Sequence, residues 1–201
     1  MNILHLGLLL GLAMDWQLQV MSSSTLDRYY QSQDTVPKRI AVCETIGEQL
    51  SACLWMKKEA TGDFQPVHLD DLSTLGLDRD TAWSKGLSAM KIELNTSRYQ
   101  PISISGTPYS YWASNRYDGF DSAALFFAES IGQIVPEPVL MAIPSRGTVL
   151  LWQEGSAEAN KMIAVGVNEI YKSSPLAVSP DLYKWDGEKW RVWARGREQA
   201  K

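Results

Sequence analysis

Two aspartates and an arginine are the residues of this chain whose types and spacing best suit chemistry. Asp118 and Asp121 stand on either side of Gly119, just before a strongly apolar run. Arg146 lies in a polar turn after the apolar segment VLMAI, and a guanidinium offers a planar fork of donors to an anionic group. If the three charged side chains shared a cleft, they would suit a hydrolase or a small-ligand site.

Each of these residues also has a structural interpretation, which the sequence favours. Asp118 can bond its own backbone in an Asx turn, with Gly119 supplying a positive φ. Asp121 is placed to cap a helix that begins at Ser122. Arg146 is expected to pair with Asp118 or Asp121 as a clamp, because buried arginines are usually paired.

Metal and cofactor sites are not predicted. Only His5 and His68 could join Cys43 and Cys53 in a metal site, and neither common phosphate-binding glycine motif is present. The two cysteines are expected to be buried free thiols. The alternative is a disulfide, which becomes feasible if a hairpin centred near Glu48 sets them opposite one another.

The composition excludes some classes of partner. A chain of 201 residues with 45% hydrophobic content suits one domain. A net charge of -4 without a basic cluster gives no attraction to nucleic acid. The apolar run Ile3–Met14 is shorter than the roughly 20 residues of a spanning helix, so no transmembrane segment is expected.

The N-terminal run leaves three alternatives open. It could be a signal-peptide core, a core-facing first helix, or an over-extended start before Met14 or Met21. The predicted division is therefore an N-terminal apolar segment and polar connector at 1–38, followed by a single domain at 39–201. We expect a cytoplasmic protein, or a secreted or periplasmic one if the N-terminal segment is removed.

Short strand pairs alternate with helices along the rest of the chain. Tight turns between strands make the pairs antiparallel, so the sequence predicts an α+β fold with an antiparallel or mixed sheet and helices mainly on one face. Asp186-Gly187 predicts a two-residue type I′ hairpin turn. The predicted strand segments are 40–45, 50–57, 64–69, 99–105, 109–113, 139–143 and 148–153. The predicted helices are 78–94, 122–132 and 157–171, with Asp78 and Ser156 as the N-caps of the first and the third.

Four segments carry a resemblance to a family. VHLDDLSTLGLDRDTAWSKGLSAMKIEL, YDGFDSAALFFAESI, VLMAIPSRGTVLLW and PLAVSPDLYKWDGEKW resemble the uncharacterised bacterial YtpQ-like family over about Phe64 to Trp193. Gly147 stands where that family often has Asp. The resemblance implies a soluble bacterial protein with an α+β fold and no established activity.

The sequence favours a non-enzymatic protein-interaction module, of the accessory or immunity type, that binds another protein. Tyr, Trp and Arg are enriched at such interfaces, and the candidate surface is Tyr109, Tyr111, Trp112 and Tyr117. One alternative is a hydrolase or small-ligand-binding protein that uses Asp118, Asp121 and Arg146. The other is an exported envelope protein with a Cys43–Cys53 disulfide.

Overall fold

The computed structural model describes residues 16–33, 39–58, 61–94, 98–118, 120–135 and 139–196. Within them a mixed sheet of ten strands carries five α-helices and a 3-10 helix at Ala128–Gln133, which confirms the predicted α+β fold. The strands are β1 Trp16–Ser22, β2 Cys43–Gly47, β3 Leu50–Lys57, β4 Phe64–Pro66, β5 Gln100–Ser103, β6 Ser110–Ser114, β7 Val139–Ser145, β8 Thr148–Gln153, β9 Leu182–Trp185 and β10 Trp190–Ala194. The helices are α1 Ser23–Gln31, α2 Leu69–Leu75, α3 Arg79–Glu93, α4 Ala123–Phe126 and α5 Ala157–Ser173.

The sheet has two parts that meet at one junction. Its order is β1-β3-β2-β10-β9-β7-β8-β6-β5, and β4 also pairs with β3. The described strand pairs are antiparallel except β10 with β2, which pair in parallel through the single register position Trp190 and Gly47. Glu48 reinforces this junction, since its N–H donates to the Trp190 carbonyl at 2.9 Å and its carboxylate accepts from the Val192 N–H at 3.1 Å.

Strand β1 forms one edge of the sheet. Its residues alternate in side-chain direction, as in any strand, so Leu18 lies in the core while Gln17 and Gln19 face the other side with Trp55 and Cys53 opposite them on β3. Residues 16–33, part of the segment 1–38 assigned to an N-terminal run and connector, thus contribute β1 and α1. The run Ile3–Met14 lies outside the described residues.

Helix α3 confirms the predicted helix at 78–94. The Asp78 carboxylate accepts the Thr81 N–H at 2.7 Å and caps the first turn. Gly86 allows the helix to lie close to the sheet, because a Cβ there would stand 2.7 Å from Leu54 and 2.9 Å from Leu18. Met90 is fully buried in the same cluster.

Helices cover both faces of β7. Met141 and Ile143 pack with the α4 residue Leu125, whereas Leu140 and Ala142 pack against α5. Residues of α2, α3 and α4 belong to the hydrophobic clusters on the Met141 side of the sheet. This agrees with the prediction that helices lie mainly on one face. Helix α5 is the exception, and its cap at Ser156 is confirmed by a 3.2 Å bond from the Ala159 N–H.

Two local predictions are wrong. The hairpin between β9 and β10 pairs Trp185 with Trp190, so its loop has four residues rather than two. The reason is that the Asp186 carboxylate accepts from the N–H groups of Glu188 and Lys189, which stabilises a wider loop. The helix predicted at 122–132 is instead the four-residue α4 followed, after Phe127, by the 3-10 helix.

The cysteines form a disulfide, so the expectation of two free thiols is wrong. Cys43 and Cys53 are directly opposed in the β2–β3 register, with their Cα atoms 4.0 Å apart. The two-residue connection at Glu48 and Gln49 places them there, and Gln49 adopts a φ of 62°. The hairpin centred near Glu48 therefore decides the pairing.

Candidate functional site

Asp121 does not cap the helix that follows it. Its Oδ1 accepts from the Ser114 hydroxyl at 2.6 Å and from the Arg116 N–H at 2.8 Å. The side chain is fully buried, and Oδ2 has no hydrogen-bond partner. The prediction of a cap is wrong because β6 ends beside this carboxylate and supplies donors that would otherwise be unpaired, while α4 begins at Ala123 with no side-chain cap.

Asp118 is held by an arginine that the sequence analysis did not single out. Arg98 Nη1 lies 2.9 Å from Asp118 Oδ1 and 3.0 Å from Oδ2. The Phe120 N–H also donates to Oδ1 at 3.0 Å, which confirms the predicted Asx turn. Gly119 lies outside the described residues. Partial burial opposes ionisation of Asp118, but the hydrogen bonds from Arg98 and the Phe120 N–H and the charges of Arg98 and Arg116 together outweigh it, so the pKa lies below the ordinary value.

Arg146 pairs with neither aspartate, so the expected clamp is wrong. Its Nη1 donates to Gln19 Oε1 at 2.6 Å, and its guanidinium carbon lies 5.7 Å from the centre of the Trp55 ring. Its backbone N–H is fixed by the Leu176 carbonyl at 3.0 Å. Burial lowers the pKa of Arg146, yet an arginine stays charged at any physiological pH.

Asp118 and Arg146 line one cleft of about 250 Å³, which we call the Arg146 cleft. Asp118 and Arg146 both face it, so the structure brings together two of the three charged residues singled out in the sequence, and Asp121 is buried beside them. The polar lining is Gln17, Gln19, Asp118, Ser122 and Arg146, and the apolar lining is Val20, Phe64, Tyr117 and Leu176.

Several polar atoms at or near the cleft have no partner. Gln17 is 1% exposed, and its Oε1 makes no hydrogen bond. The indole Nε1 of Trp55, which lies under Arg146, and the Ser145 hydroxyl are likewise buried without a partner. Buried polar groups are nearly always paired, so such a group calls for an explanation. A bound ligand next to Gln17 would supply one.

The four aromatic residues of the candidate surface do not form one patch. Tyr111 and Trp112 are successive residues of β6, so they point to opposite faces and join different clusters. Tyr109 packs against Gly155 on the Tyr111 side. Tyr117 is 69% exposed and belongs to the Arg146 cleft.

The cleft residues from β1, and Trp55 of β3 beneath Arg146, were not predicted from the sequence. Gln17 and Gln19 lie in the segment assigned to the N-terminal connector, and Trp55 was assigned only to a strand. A signal existed, because Trp16-Gln17-Leu18-Gln19-Val20 alternates apolar and polar residues as an edge strand does. Proximity of Arg146 to Gln19 could not be read from the sequence, since the two residues are far apart in the chain.

A second polar cluster joins α1 to α2. His68 Nδ1 lies 3.2 Å from Asp71 Oδ2, and His68 Nε2 lies 2.6 Å from the Tyr29 hydroxyl. Asp71 also binds Arg39. The order Asp-His-Tyr resembles a proton relay, but desolvation raises the pKa of Tyr29, whereas an activated tyrosine needs a lowered one. The cluster therefore acts as a tie between the two helices.

The described ranges contain no group of three His, Cys, Asp or Glu side chains that could hold a metal ion. Among those same residues, no helix combines the length and apolar character needed to cross a membrane.

The chain was also compared with known proteins. No family model matches it, and neither does any curated protein or solved structure. The resemblance to the YtpQ-like family therefore stays a prediction.

Proposed function

We propose that the protein binds a small anionic ligand in the Arg146 cleft. The observation that carries this proposal is the environment of the Arg146 guanidinium. Its guanidinium is partly buried at the cleft, and among the described residues no carboxylate lies within 4 Å of it. A partly buried cation is costly unless it is paired, and an anion in the cleft would supply the missing partner.

The surroundings of Arg146 support an anion rather than a cation. Asp118, the carboxylate on the cleft wall, is already neutralised by the buried Arg98. Arg146 is held in place by Gln19, Trp55 and the Leu176 carbonyl, so its fork of donors is preorganised. Preorganisation reduces the conformational entropy lost on binding.

The hydrolase alternative receives less support. It requires both aspartates to act in one cleft, yet the Asp121 carboxylate is fully buried and turned toward Ser114 and Arg116. Asp118 is tied to Arg98, and its pKa is lowered, which suits a permanent charge better than a proton donor. Binding without catalysis is therefore the simpler proposal.

The experiment compares wild-type protein with Arg146→Gln by isothermal titration and NMR. The probes are acetate, benzoate and inorganic phosphate, each to about 20 mM, a range that covers the weak affinity expected of such small ligands. We expect Arg146→Gln to weaken binding of every probe that binds by at least about tenfold, since it removes charge-assisted hydrogen bonds. The indole N–H signal of Trp55 should shift on binding.

The matched control is Arg191→Gln, which removes the same charge from a partly exposed arginine on β10 that pairs with Asp186. It should bind the probes like the wild type. Binding that is unaffected by Arg146→Gln, or absent for all three anions, would contradict the proposal.

A protein-interaction module remains the second candidate, and one specific observation favours it. Strand β5 is the far edge of the sheet and is exposed along its length. Ile102 of β5 is exposed, and the exposed Met162 of α5 lines a groove between β5 and α5. An open edge strand can accept a strand from a partner. This candidate predicts that the Ile102→Lys protein no longer binds a partner that the wild type captures. The Arg146→Gln protein should still bind that partner.

A further inference from the structure

Tyr117 is the most unusual residue of the Arg146 cleft. It has a φ of 56°, a left-handed backbone conformation that bulky residues rarely adopt. Its side chain is also largely exposed, although it is aromatic. Strained backbone persists where the surrounding structure enforces it, and such residues cluster at functional sites.

The neighbours of Tyr117 fix its ring in one place. The ring packs closely against Gly147, since a Cβ at that glycine would stand 2.1 Å from the ring. Its hydroxyl is 3.4 Å from the Thr148 hydroxyl, at the limit of a hydrogen bond. Gly147 directly follows Arg146, and the Tyr117 ring and the Arg146 side chain line the same cleft.

One part of the cleft wall is apolar. Phe64 and Val20 line it, and Leu176 is 45% exposed at the same cleft. Exposed apolar side chains that gather around a cavity mark a binding site. A hydrated inorganic anion would gain nothing from these contacts, whereas an organic anion would bury its apolar part against them.

We propose that the ligand of the Arg146 cleft is an aromatic carboxylate, whose acid group binds Arg146 and whose ring lies against Tyr117, Phe64 and Leu176. This inference rests on the proposed function and names its ligand class. The cleft volume of about 250 Å³ holds a single ring with a short acidic substituent. The unpaired Gln17 Oε1 adds selectivity for a ligand that also carries a hydrogen-bond donor, such as a hydroxyl group.

The test separates the ring from the acid group. In wild-type protein we expect benzoate to bind about tenfold more tightly than acetate, because the ring buries apolar area and stacks on tyrosine. 4-Hydroxybenzoate should bind at least as tightly as benzoate. Tyr117→Ala should reduce the benzoate-to-acetate ratio to about three or less while acetate binding stays within about twofold.

Two variants protect the test against a change in folding. Tyr117→Phe keeps the ring and should keep the full benzoate preference. Gly147→Ala keeps the tyrosine but pushes its exposed ring away, and it should lose the preference as Tyr117→Ala does. Far-ultraviolet circular dichroism and thermal unfolding verify that each variant is folded.

The outcomes distinguish this inference from the proposed function. If acetate, phosphate and benzoate bind equally and all depend on Arg146, the aromatic ligand class is overturned while anion binding stands. If Tyr117→Ala and Gly147→Ala leave the benzoate preference intact, the role of Tyr117 is overturned. If Arg146→Gln changes nothing, both proposals fall.

Discussion

The Asp121 carboxylate faces backward along the chain, toward the end of β6, where its Oδ1 accepts the Ser114 hydroxyl at 2.6 Å. The same oxygen accepts the Arg116 N–H. One fully buried side chain therefore closes the loop of residues that carries Asp118 and Tyr117 to the Arg146 cleft. Asp121 positions the cleft without lining it.

Removal of this carboxylate should destabilise the protein. Asp121→Ala leaves the Ser114 hydroxyl and the Arg116 N–H without their acceptor, and we expect a loss of about 2–4 kcal/mol in the free energy of unfolding. Urea denaturation measures it. The double variant Asp121→Ala/Ser114→Ala should recover part of the loss, because one of the stranded donors is gone. A double-variant loss equal to the sum of the losses of Asp121→Ala and Ser114→Ala alone would show that the two side chains are not coupled.

Two glycines in helices should respond to alanine in opposite ways. Gly86→Ala should destabilise by about 1–3 kcal/mol, because its Cβ would overlap Leu54 and Leu18 beneath α3. Gly166→Ala in α5 has nothing within 4 Å of the added carbon and should stabilise by about 0.5–1 kcal/mol through helix propensity. Thermal or urea unfolding of the two variants gives the comparison. Equal effects on stability would contradict the close packing of α3 on the sheet.

The disulfide should stabilise the native state. Reduction, or the double change Cys43→Ser/Cys53→Ser, should cost about 2–3 kcal/mol for a loop of this length. We propose that the bridge supports the exported alternative over the cytoplasmic one, since disulfides persist in oxidising compartments. Non-reducing mass spectrometry of protein from its native cells should find no free thiol. If Cys43 and Cys53 are both free thiols in that protein, the exported alternative is contradicted and the cytoplasmic one is supported.

Acid should weaken the protein through Asp118. Because the folded-state pKa of this group lies below the ordinary value of 3.8, its stabilising contribution is present above that value and is lost as the pH falls through the folded-state pKa. We expect the free energy of unfolding to be flat above about pH 5 and to decline below about pH 4. Desolvation raises the pKa of Asp71, but its bonds to His68 and Arg39 lower the pKa by more. Asp71 should therefore act in the same direction as Asp118.

Asp118→Asn tests this assignment. It should lower stability at pH 6 by about 1–3 kcal/mol, since the buried Arg98 loses a charged partner, and it should reduce the difference in stability between pH 6 and pH 3. Asp70→Asn makes the same change of charge on the exposed side of α2 and serves as the control. An unchanged pH dependence in Asp118→Asn would contradict the role of this carboxylate.

Local patterns predicted the strands from β2 onward and the helices α3 and α5, but not β1, α1 or α2. Asp78 and Ser156 capped their helices as expected because a cap needs only residues near in sequence. Asp186-Gly187 marked the right hairpin, but the side chain of Asp186 selected a wider loop. β1 was missed because its seven residues follow an apolar run that dominated the interpretation of the N-terminus.

The candidate site was predicted only in part. The sequence singled out Asp118 and Arg146, and the structure places both on one cleft. Their partners could not be found from the sequence. Arg146 binds Gln19 because the fold brings β1 to the β7–β8 turn, and Asp118 binds Arg98, which lies 20 residues earlier in the chain. Burial of Asp121 likewise depends on the end of β6, which no local pattern indicates.

The junction between Gly47 and Trp190 has a consequence for synthesis of the chain. The hairpin of β2 and β3 is complete early on the ribosome, but the strand that pairs with the outer edge of β2 is β10, the last of the described strands in chain order. Until β10 emerges, the nascent chain carries an open sheet edge, which is a template for association with other chains. A chaperone that shields this edge would therefore raise the yield of folded protein, and truncation before Trp190 should convert the product to aggregates.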